Sequence, residues 1–274
     1  MPSIILIRSG GDLASGVALR LLRSGLRVVM TEIAQPLAVR RSIAFAEAVY
    51  AGGITIEGIT AQRIPDPTDG FRILMVLGKQ QVPVLVDPEC ASARLLHPSV
   101  IVDARMTKRA PEAIGYSPVL YIGLGPGFEG GVNCQAAIET RRGPMLGRVY
   151  WRGGPEADSG QPEGNPRRVL RAPADGTFRA FKQIGDHCEE SEVIAEIQSL
   201  SENPPSIILS PFPGVLRGLL HPGLTVKAGM KIGDIDPRND PRICQFASDK
   251  ALSVGGGVLE AIFSQPELMP QLWV

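Results

Sequence analysis

The sequence predicts an α/β protein in which a Rossmann-like parallel sheet is followed by a smaller β module. Three observations support this prediction. The first 32 residues show a strand, a glycine turn, a helix and a second strand, and the following hundred residues continue to alternate between strand and helix patterns. The region after residue 170 carries an internal repeat. A length of 274 residues is enough for one large domain or two modest ones.

The N-terminal region predicts a right-handed βαβ unit. Residues 3–7 form a continuous apolar run, which is typical of a strand covered on both faces, and two glycines end it. Residues 13–23 have helical apolar spacing, and residues 26–30 form a second apolar run. Further strands are predicted at residues 82–86, 99–102 and 119–122, and further helices at residues 38–50 and 89–96. We therefore predict a doubly wound, Rossmann-like domain over residues 1–152.

The second half of the chain predicts a repeated β structure. Residues 153–168 are rich in Gly, Pro and charge, which predicts a linker or an exposed loop. Residues 172–197 align with residues 210–235 at a constant offset of 38, with six identities and no gap. Neither copy can bury its apolar face alone, so residues 169–237 are predicted to form a β barrel-sandwich hybrid (biotinyl/lipoyl-like) module. Residues 238–274 are predicted to add a strand and a helix that pack back on the first domain.

Carrier domains of the barrel-sandwich type present a lysine on the hairpin between their halves. The corresponding segment here, residues 198–209, contains no lysine. The module is therefore predicted to have a structural or docking role and to carry no swinging arm.

The composition excludes several classes of function. Lys plus Arg equal Asp plus Glu at 28 each, and aromatic residues make up 5% of the chain, which argues against a nucleic-acid partner. No apolar run reaches the roughly 18 to 20 residues of a membrane span, and the first run is too short for a signal peptide, so we expect a cytoplasmic protein. The four cysteines and three histidines stand far apart, which predicts no metal site.

The first glycine turn is the first candidate binding site. Its best match to GxGxxG/A places Ser9 where the first glycine of the motif stands, and Glu32 follows about 20 residues later, where an acid can bind a ribose hydroxyl. The candidate residues here are Ser9, Gly10, Gly11, Asp12, Leu13 and Glu32. Because the Asp12 carboxylate would repel a pyrophosphate, a tight turn with Asp12 as helix cap and no ligand stays the alternative.

A second candidate group follows later strands of the sheet. Asp103 and Arg105 come directly after one predicted strand, and Gly125 and Gly127 come directly after the next. Ligands collect at the carboxyl ends of strands in an open parallel sheet. Several arginines between residues 141 and 152 suit an anion, although a solvated surface explains them equally well. No serine has a histidine placed to activate it, so the sequence assigns no catalytic residue.

Four strings of the sequence support a family resemblance. They are residues 7–50, the segment VDARMTKR, residues 122–149, and SDKALSVGGGVLEAI near the end. Together they resemble the YqeB-type accessory family of the selenium-dependent molybdenum hydroxylase system over nearly the whole chain. The resemblance implies a role in the maturation of molybdenum hydroxylases, with such an enzyme as partner. The resemblance also implies that members of the family usually have glycine at the position of Ser9.

Three hypotheses about function follow. The first is an accessory protein whose Rossmann-like domain binds a nucleotide or the nucleotide-bearing molybdenum cofactor. The second is an NAD(P)-dependent oxidoreductase that uses the same turn. The third is a non-enzymatic scaffold whose β module docks a partner, and the sequence allows a homo-oligomer in each case.

Overall fold

The computed structural model describes residues 3–112, 114–158, 164–199 and 204–272. The chain divides into two compact units. The first unit comprises residues 1–36, 44–159 and 247–274, and the second comprises residues 37–43 and 160–246. Neither unit is one continuous stretch of chain, because a short early segment belongs with the second unit and the C-terminal segment belongs with the first.

A nine-stranded sheet forms the centre of the first unit. Its strands are β1 (Ile4–Arg8), β2 (Arg27–Glu32), β3 (Gly53–Ile56), β4 (Ile59–Ile64), β5 (Val82–Val86), β6 (Val100–Asp103), β7 (Leu120–Leu124), β8 (Ala136–Ile138) and β9 (Val149–Tyr150). Their order is β3-β4-β5-β2-β1-β6-β7-β8-β9. The seven inner strands run parallel, whereas β3 and β9 pair antiparallel at the two edges. The carboxyl ends of β1, β2, β6, β7 and β8 therefore share one edge of the sheet.

Six helices accompany this sheet in the described part of the first unit. They are α1 (Asp12–Arg23), α2 (Ala48–Ala51), α3 (Gly70–Gly78), α4 (Ala93–Leu96), α5 (Asp249–Phe263) and α6 (Met269–Leu272). Helices α1 and α5 approach so closely that a Cβ added to Gly16 would collide with Ala251. None of the helices in the described residues has the length and apolarity needed to cross a membrane.

Two four-stranded antiparallel sheets make up the second unit. Its strands are β10 (Val169–Arg171), β11 (Gly176–Ala180), β12 (His187–Cys188), β13 (Val193–Gln198), β14 (Ser206–Leu209), β15 (Gly214–Leu219), β16 (Thr225–Val226) and β17 (Lys231–Asp236). The sheets have the orders β10-β17-β15-β12 and β14-β13-β11-β16. Strands β11, β12 and β13 correspond to β15, β16 and β17 at the 38-residue offset. Each copy contributes a strand to the other copy's sheet, since β11 pairs with β16 and β12 with β15.

The fold class predicted from the sequence is corrected by this topology. In place of a Rossmann-like parallel sheet, the first unit has a mixed nine-stranded sheet with antiparallel edges. In place of a barrel-sandwich hybrid, the second unit has two separate four-stranded sheets, and each includes one strand from outside the aligned repeat, β10 or β14. Apolar periodicity marks where strands lie but not which strands pair or in which direction, because pairing is decided by long-range contacts.

Three local predictions also differ from the structure. Residues 38–50 form short 3₁₀ turns and the one-turn helix α2, and the helix predicted at residues 89–96 is reduced to α4. After residue 238 the chain forms the 3₁₀ turn Pro241–Cys244 before α5, where a strand was expected. The predicted linker at residues 153–168 falls partly outside the described residues, as does the predicted hairpin at residues 198–209.

Candidate functional site

A buried carboxylate lies at the carboxyl end of β6. Asp103 is fully buried and ends the strand. Its Oδ2 accepts hydrogen bonds from Arg8 Nη1 at 3.1 Å, from Arg105 Nη2 at 2.8 Å and from the hydroxyl of Tyr121 at 2.8 Å. Arg105 also donates from Nε to Oδ1 at 3.0 Å. The four side chains form a network that joins the ends of β1 and β6 to the face of β7.

The charges of this network are costly to bury because water has almost no access to the Arg8–Asp103 ion pair. The Arg8 side chain is only 4% exposed, and its Nε is buried without a hydrogen-bond partner. Burial and the adjacent Asp103 raise the pKa of Tyr121 above its usual value, so this phenol stays protonated and donates to the carboxylate. Tyr121 is therefore a positioning group and not a base.

A cavity opens beside this network. It has a volume of about 540 Å³ and lies between the segment before β7, the second residue of β7 and the turn before β8. Its lining residues are Pro111, Glu112, Ile114, Gly115, Tyr116, Ser117, Pro118, Tyr121, Asn133 and Gln135. Tyr121 thus belongs both to the wall of the cavity and to the buried network behind it.

Several candidate residues of the first turn form hydrogen bonds with one another. Ser9 has a φ of 98°, in the left-handed region that favours glycine, which agrees with the glycine that the family resemblance places there. Glu32 Oε2 accepts from the backbone N–H of Gly10 at 2.7 Å and lies 3.4 Å from the Ser9 hydroxyl. The N–H of Gly11 donates to Ser9 Oγ at 3.2 Å. Glu32 therefore holds the turn in place.

The start of α1 also differs from the expectation. Gly11 is the N-cap and has no side-chain capping bond, so Asp12 is not the cap. Asp12 and Leu13 stand in the first turn of the helix, where the Asp12 carboxylate complements the helix dipole. A Cβ at Gly10 would collide with the backbone of Ala46, whose N–H donates to the Gly10 carbonyl at 2.8 Å. The chain itself thus packs over this turn.

Other parts of the chain also pack closely against the second glycine loop. A Cβ at Gly125 would meet Thr140 Oγ1 and the Met106 side chain, and a Cβ at Gly127 would collide with the backbone of Arg109. Both glycines have positive φ angles. Their small size accommodates the close approach of Thr140, Met106 and Arg109.

The structure brings some of the predicted site residues into contact with one another, and their role in ligand binding stays a prediction. Asp103 and Arg105 form one ion pair, and Ser9, Gly10 and Glu32 form one hydrogen-bonded turn. Sequence analysis missed Arg8, Tyr121 and the lining residue Glu112. Arg8 and Tyr121 carried a weak signal, because each is a polar side chain at or beside an apolar strand run.

Metal and thiol chemistry has no evident centre in the part of the chain that the structure describes. Within residues 3–112, 114–158, 164–199 and 204–272, no three His, Cys, Asp or Glu side chains are grouped to hold a metal ion. The four cysteines are buried and free. Burial raises the pKa of both Cys90 and Cys134 to about 11, so neither thiol is activated.

Comparison with known proteins gives one clear relative. No protein-family model matches the chain. Over 264 residues the chain is 41% identical to the uncharacterized protein YqeB of Escherichia coli (strain K12), covering 94% of this chain and 47% of YqeB. The chain is related to YqeB. It spans about half the length of that relative, and the similarity supports the YqeB-type resemblance without supporting a role in the selenium-dependent hydroxylase system.

Solved structures show only a distant likeness. A succinylglutamate desuccinylase/aspartoacylase from Rhodobacter sphaeroides is 15% identical with a TM-score of 0.29, covering 87% of both chains. An aspartoacylase family protein from Mesorhizobium loti is 7% identical with a TM-score of 0.28, covering 85% of this chain and 84% of that one. The apo ectoine utilization protein EutE (DoeB) from Ruegeria pomeroyi is 8% identical with a TM-score of 0.27, covering 85% and 86%. TM-scores below 0.3 assign no activity to this YqeB relative.

The predicted function is corrected on these findings. Maturation of molybdenum hydroxylases is withdrawn as the predicted role, because YqeB is uncharacterized and the solved neighbours are too distant to assign an activity. Rossmann-type nucleotide binding is also withdrawn, because the sheet is mixed and Gly10, Gly125 and Gly127 pack against other parts of the chain. At Gly11, by contrast, an added Cβ would meet only Ser9 Oγ, at 3.6 Å. The expectations about partners, oligomeric state and cytoplasmic location stay predictions.

Proposed function

We propose that the first unit of this YqeB relative binds a small organic amine in the cavity beside Tyr121. One observation carries the proposal. The cavity of about 540 Å³ is lined by two tyrosines, one carboxylate and two carboxamides, and no lysine or arginine is among its lining residues. Its volume falls in the range of small-molecule sites, and its lining combines apolar surface with a few polar groups.

The polar walls of the cavity are held in place before any ligand arrives. Tyr121 is anchored through its hydroxyl to Asp103, and its backbone N–H donates to Gln135 Oε1 at 2.9 Å. Tyr116 donates to the Pro98 carbonyl at 3.0 Å. Fixed walls lower the entropy lost on binding, which favours affinity for a ligand of matching shape.

The charge of the lining favours a cation. Among the lining residues that the structure describes, Glu112 is the one acidic side chain. Two cations lie beside this lining: Arg105, which is paired with Asp103, and Arg94, whose Nη2 would lie 2.7 Å from a Cβ added to Gly115. A carboxylate together with aromatic rings is the combination that recognises ammonium groups, through charge pairing and cation–π attraction.

A matched pair of ligands tests this proposal. Benzylamine and benzoate have the same ring and nearly the same size but opposite charge. We expect benzylamine to bind by calorimetric titration and to raise the melting temperature, by an increment corresponding to about 2.7 kcal/mol at a hundredfold excess over Kd. Benzoate should produce neither effect.

Two variants locate the binding. Glu112→Gln removes the charge of the lining and should weaken benzylamine binding. Glu89→Gln removes an exposed charge outside the cavity and should leave binding unchanged. Equal binding of benzylamine and benzoate, or equal weakening by the two variants, would overturn the proposal.

A further inference from the structure

Three cationic side chains converge on one carboxylate oxygen in the second unit. Oδ2 of Asp234 lies 2.6 Å from Arg217 Nη2, 2.8 Å from Arg168 Nη1 and 3.5 Å from Lys231 Nζ. Asp234 is buried in strand β17. One negative charge therefore faces three positive charges at close range.

The neighbouring carboxylate does not restore the balance. Asp236 also lies in β17 and accepts from Arg217 Nη1 at 2.8 Å and from Arg238 Nη2 at 2.7 Å, so it brings a further cation with it. Arg217 thus divides its two Nη groups between Asp234 and Asp236. Like charges at such separations repel, and the repulsion persists where water is partly excluded.

Two donors of this cluster are poorly satisfied. Lys231 Nζ makes one contact, the 3.5 Å approach to Asp234, which is too long for a strong hydrogen bond. Arg217 Nε is buried with no hydrogen-bond partner. Burial lowers the pKa of Lys231, and Asp234, which raises it, is opposed by the nearby Arg168 and Arg217.

The first copy of the internal repeat has only part of this arrangement. At the 38-residue offset, Arg179 and Glu196 of the first copy correspond to Arg217 and Asp234, and they too form an ion pair, at 3.3 Å. That pair is a surface feature, since Arg179 is 66% exposed. The position of Lys231 is occupied by Val193 in the first copy. The same strand pairing therefore forms without the extra cation.

We propose that Arg168, Arg217 and Lys231 bind the phosphate group of a small molecule. Guanidinium forks match the oxygens of a tetrahedral oxyanion, and a lysine adds a point charge. The three side chains are 22%, 17% and 38% exposed, so an anion from solvent can reach them. A bound dianion would offset the repulsion that Lys231 experiences from Arg168 and Arg217. This site is in the second unit and is independent of the amine cavity in the first.

Calorimetric titration with inorganic phosphate tests the proposal, with sodium chloride used to hold the ionic strength constant. We expect saturable binding to the wild type and an affinity loss of about tenfold or more in Lys231→Met. Lys231→Met should fold, because it removes a repelled charge, and its melting temperature without phosphate should equal or exceed that of the wild type. Arg179→Gln is the matched control in the first copy and should bind phosphate as the wild type does. Phenyl phosphate is titrated in parallel. If it binds more tightly than inorganic phosphate, the site prefers an organic phosphate monoester, and if it binds less tightly, the site prefers free phosphate.

A second measurement does not depend on the variant. By NMR, the pKa of Lys231 in the wild type should rise when phosphate binds, because a dianion stabilises the charged amine. A pKa that phosphate leaves unchanged would overturn the proposal. Equal phosphate affinity in the wild type and Lys231→Met, or stabilisation by chloride equal to that by phosphate, would do the same.

Discussion

Removing the charge of Asp103 is the sharpest test of the buried network. In Asp103→Asn an amide NH₂ replaces one carboxylate oxygen, so a donor faces the donors of Arg8, Arg105 or Tyr121. Asp103 is fully buried and Arg8 is 4% exposed, which means that the variant strands a guanidinium charge away from water. Breaking a buried ion pair in this way costs about 3 to 5 kcal/mol.

The expected change in melting temperature follows from that free energy. A loss of about 3 to 5 kcal/mol corresponds to a fall of roughly 6 to 20 °C for a domain of this size. Arg105→Gln provides the comparison, because its side chain is 26% exposed and water can partly replace the lost contact. We expect that variant to lose only about 1 kcal/mol.

Thermal and urea unfolding of the single and double variants provide the assay. In Arg8→Met combined with Asp103→Asn the stranded charge is absent, so the double variant should lose less stability than the sum of the two single losses. An Asp103→Asn protein that melts within about 2 °C of the wild type would refute the reasoning. Losses that simply add in the double variant would also refute it.

Three further predictions concern stability. In helix α5, Gly257→Ala should cost about 1 to 3 kcal/mol because its Cβ would collide with a facing backbone carbonyl, whereas Gly256→Ala meets no atom within 4 Å and should gain up to about 1 kcal/mol of helix propensity, as measured by urea unfolding. Ser9→Gly should be more stable than Ser9→Ala by about 1 kcal/mol, because both lose the hydroxyl while only glycine relieves the positive φ; equal stability would contradict this. Asp236 has its pKa lowered to about 2, chiefly by hydrogen bonding from Arg238, so its stabilising contribution is present above about pH 4 and is lost as the pH falls towards 2. Arg238→Gln should flatten that part of the stability curve in an acid titration, and an unchanged curve would contradict the assignment.

Several strands could be predicted because their signals are local. The apolar runs at residues 3–7, 26–30, 82–86, 99–102 and 119–122 coincide within about two residues with β1, β2, β5, β6 and β7, which confirms those strand positions. The 38-residue repeat also corresponds to matching strands in its two copies. Both features depend only on side chains that lie close together along the chain.

The candidate site could be predicted only in part. Asp103 and Arg105 stand two residues apart, so their pairing was within reach of sequence analysis. Arg8 is 95 residues from Asp103 and Tyr121 is 18 residues away, and only the parallel pairing of β1, β6 and β7 brings them together. Whether a glycine turn is open to a ligand was also beyond the sequence. Packing of the distant Ala46 closes the side of the first turn at Gly10, whereas at Gly11 an added Cβ would meet only Ser9 Oγ, at 3.6 Å.

The sequence by itself determined where the chain extends, turns and repeats, because apolar spacing and glycine act over a few residues. The tertiary structure alone decided the strand order, the antiparallel edges, and the charges that share one carboxylate at Asp103 and at Asp234. Those features arise from contacts between segments far apart in the chain. The free energies of these contacts depend on burial and desolvation, and both occur only when the chain folds.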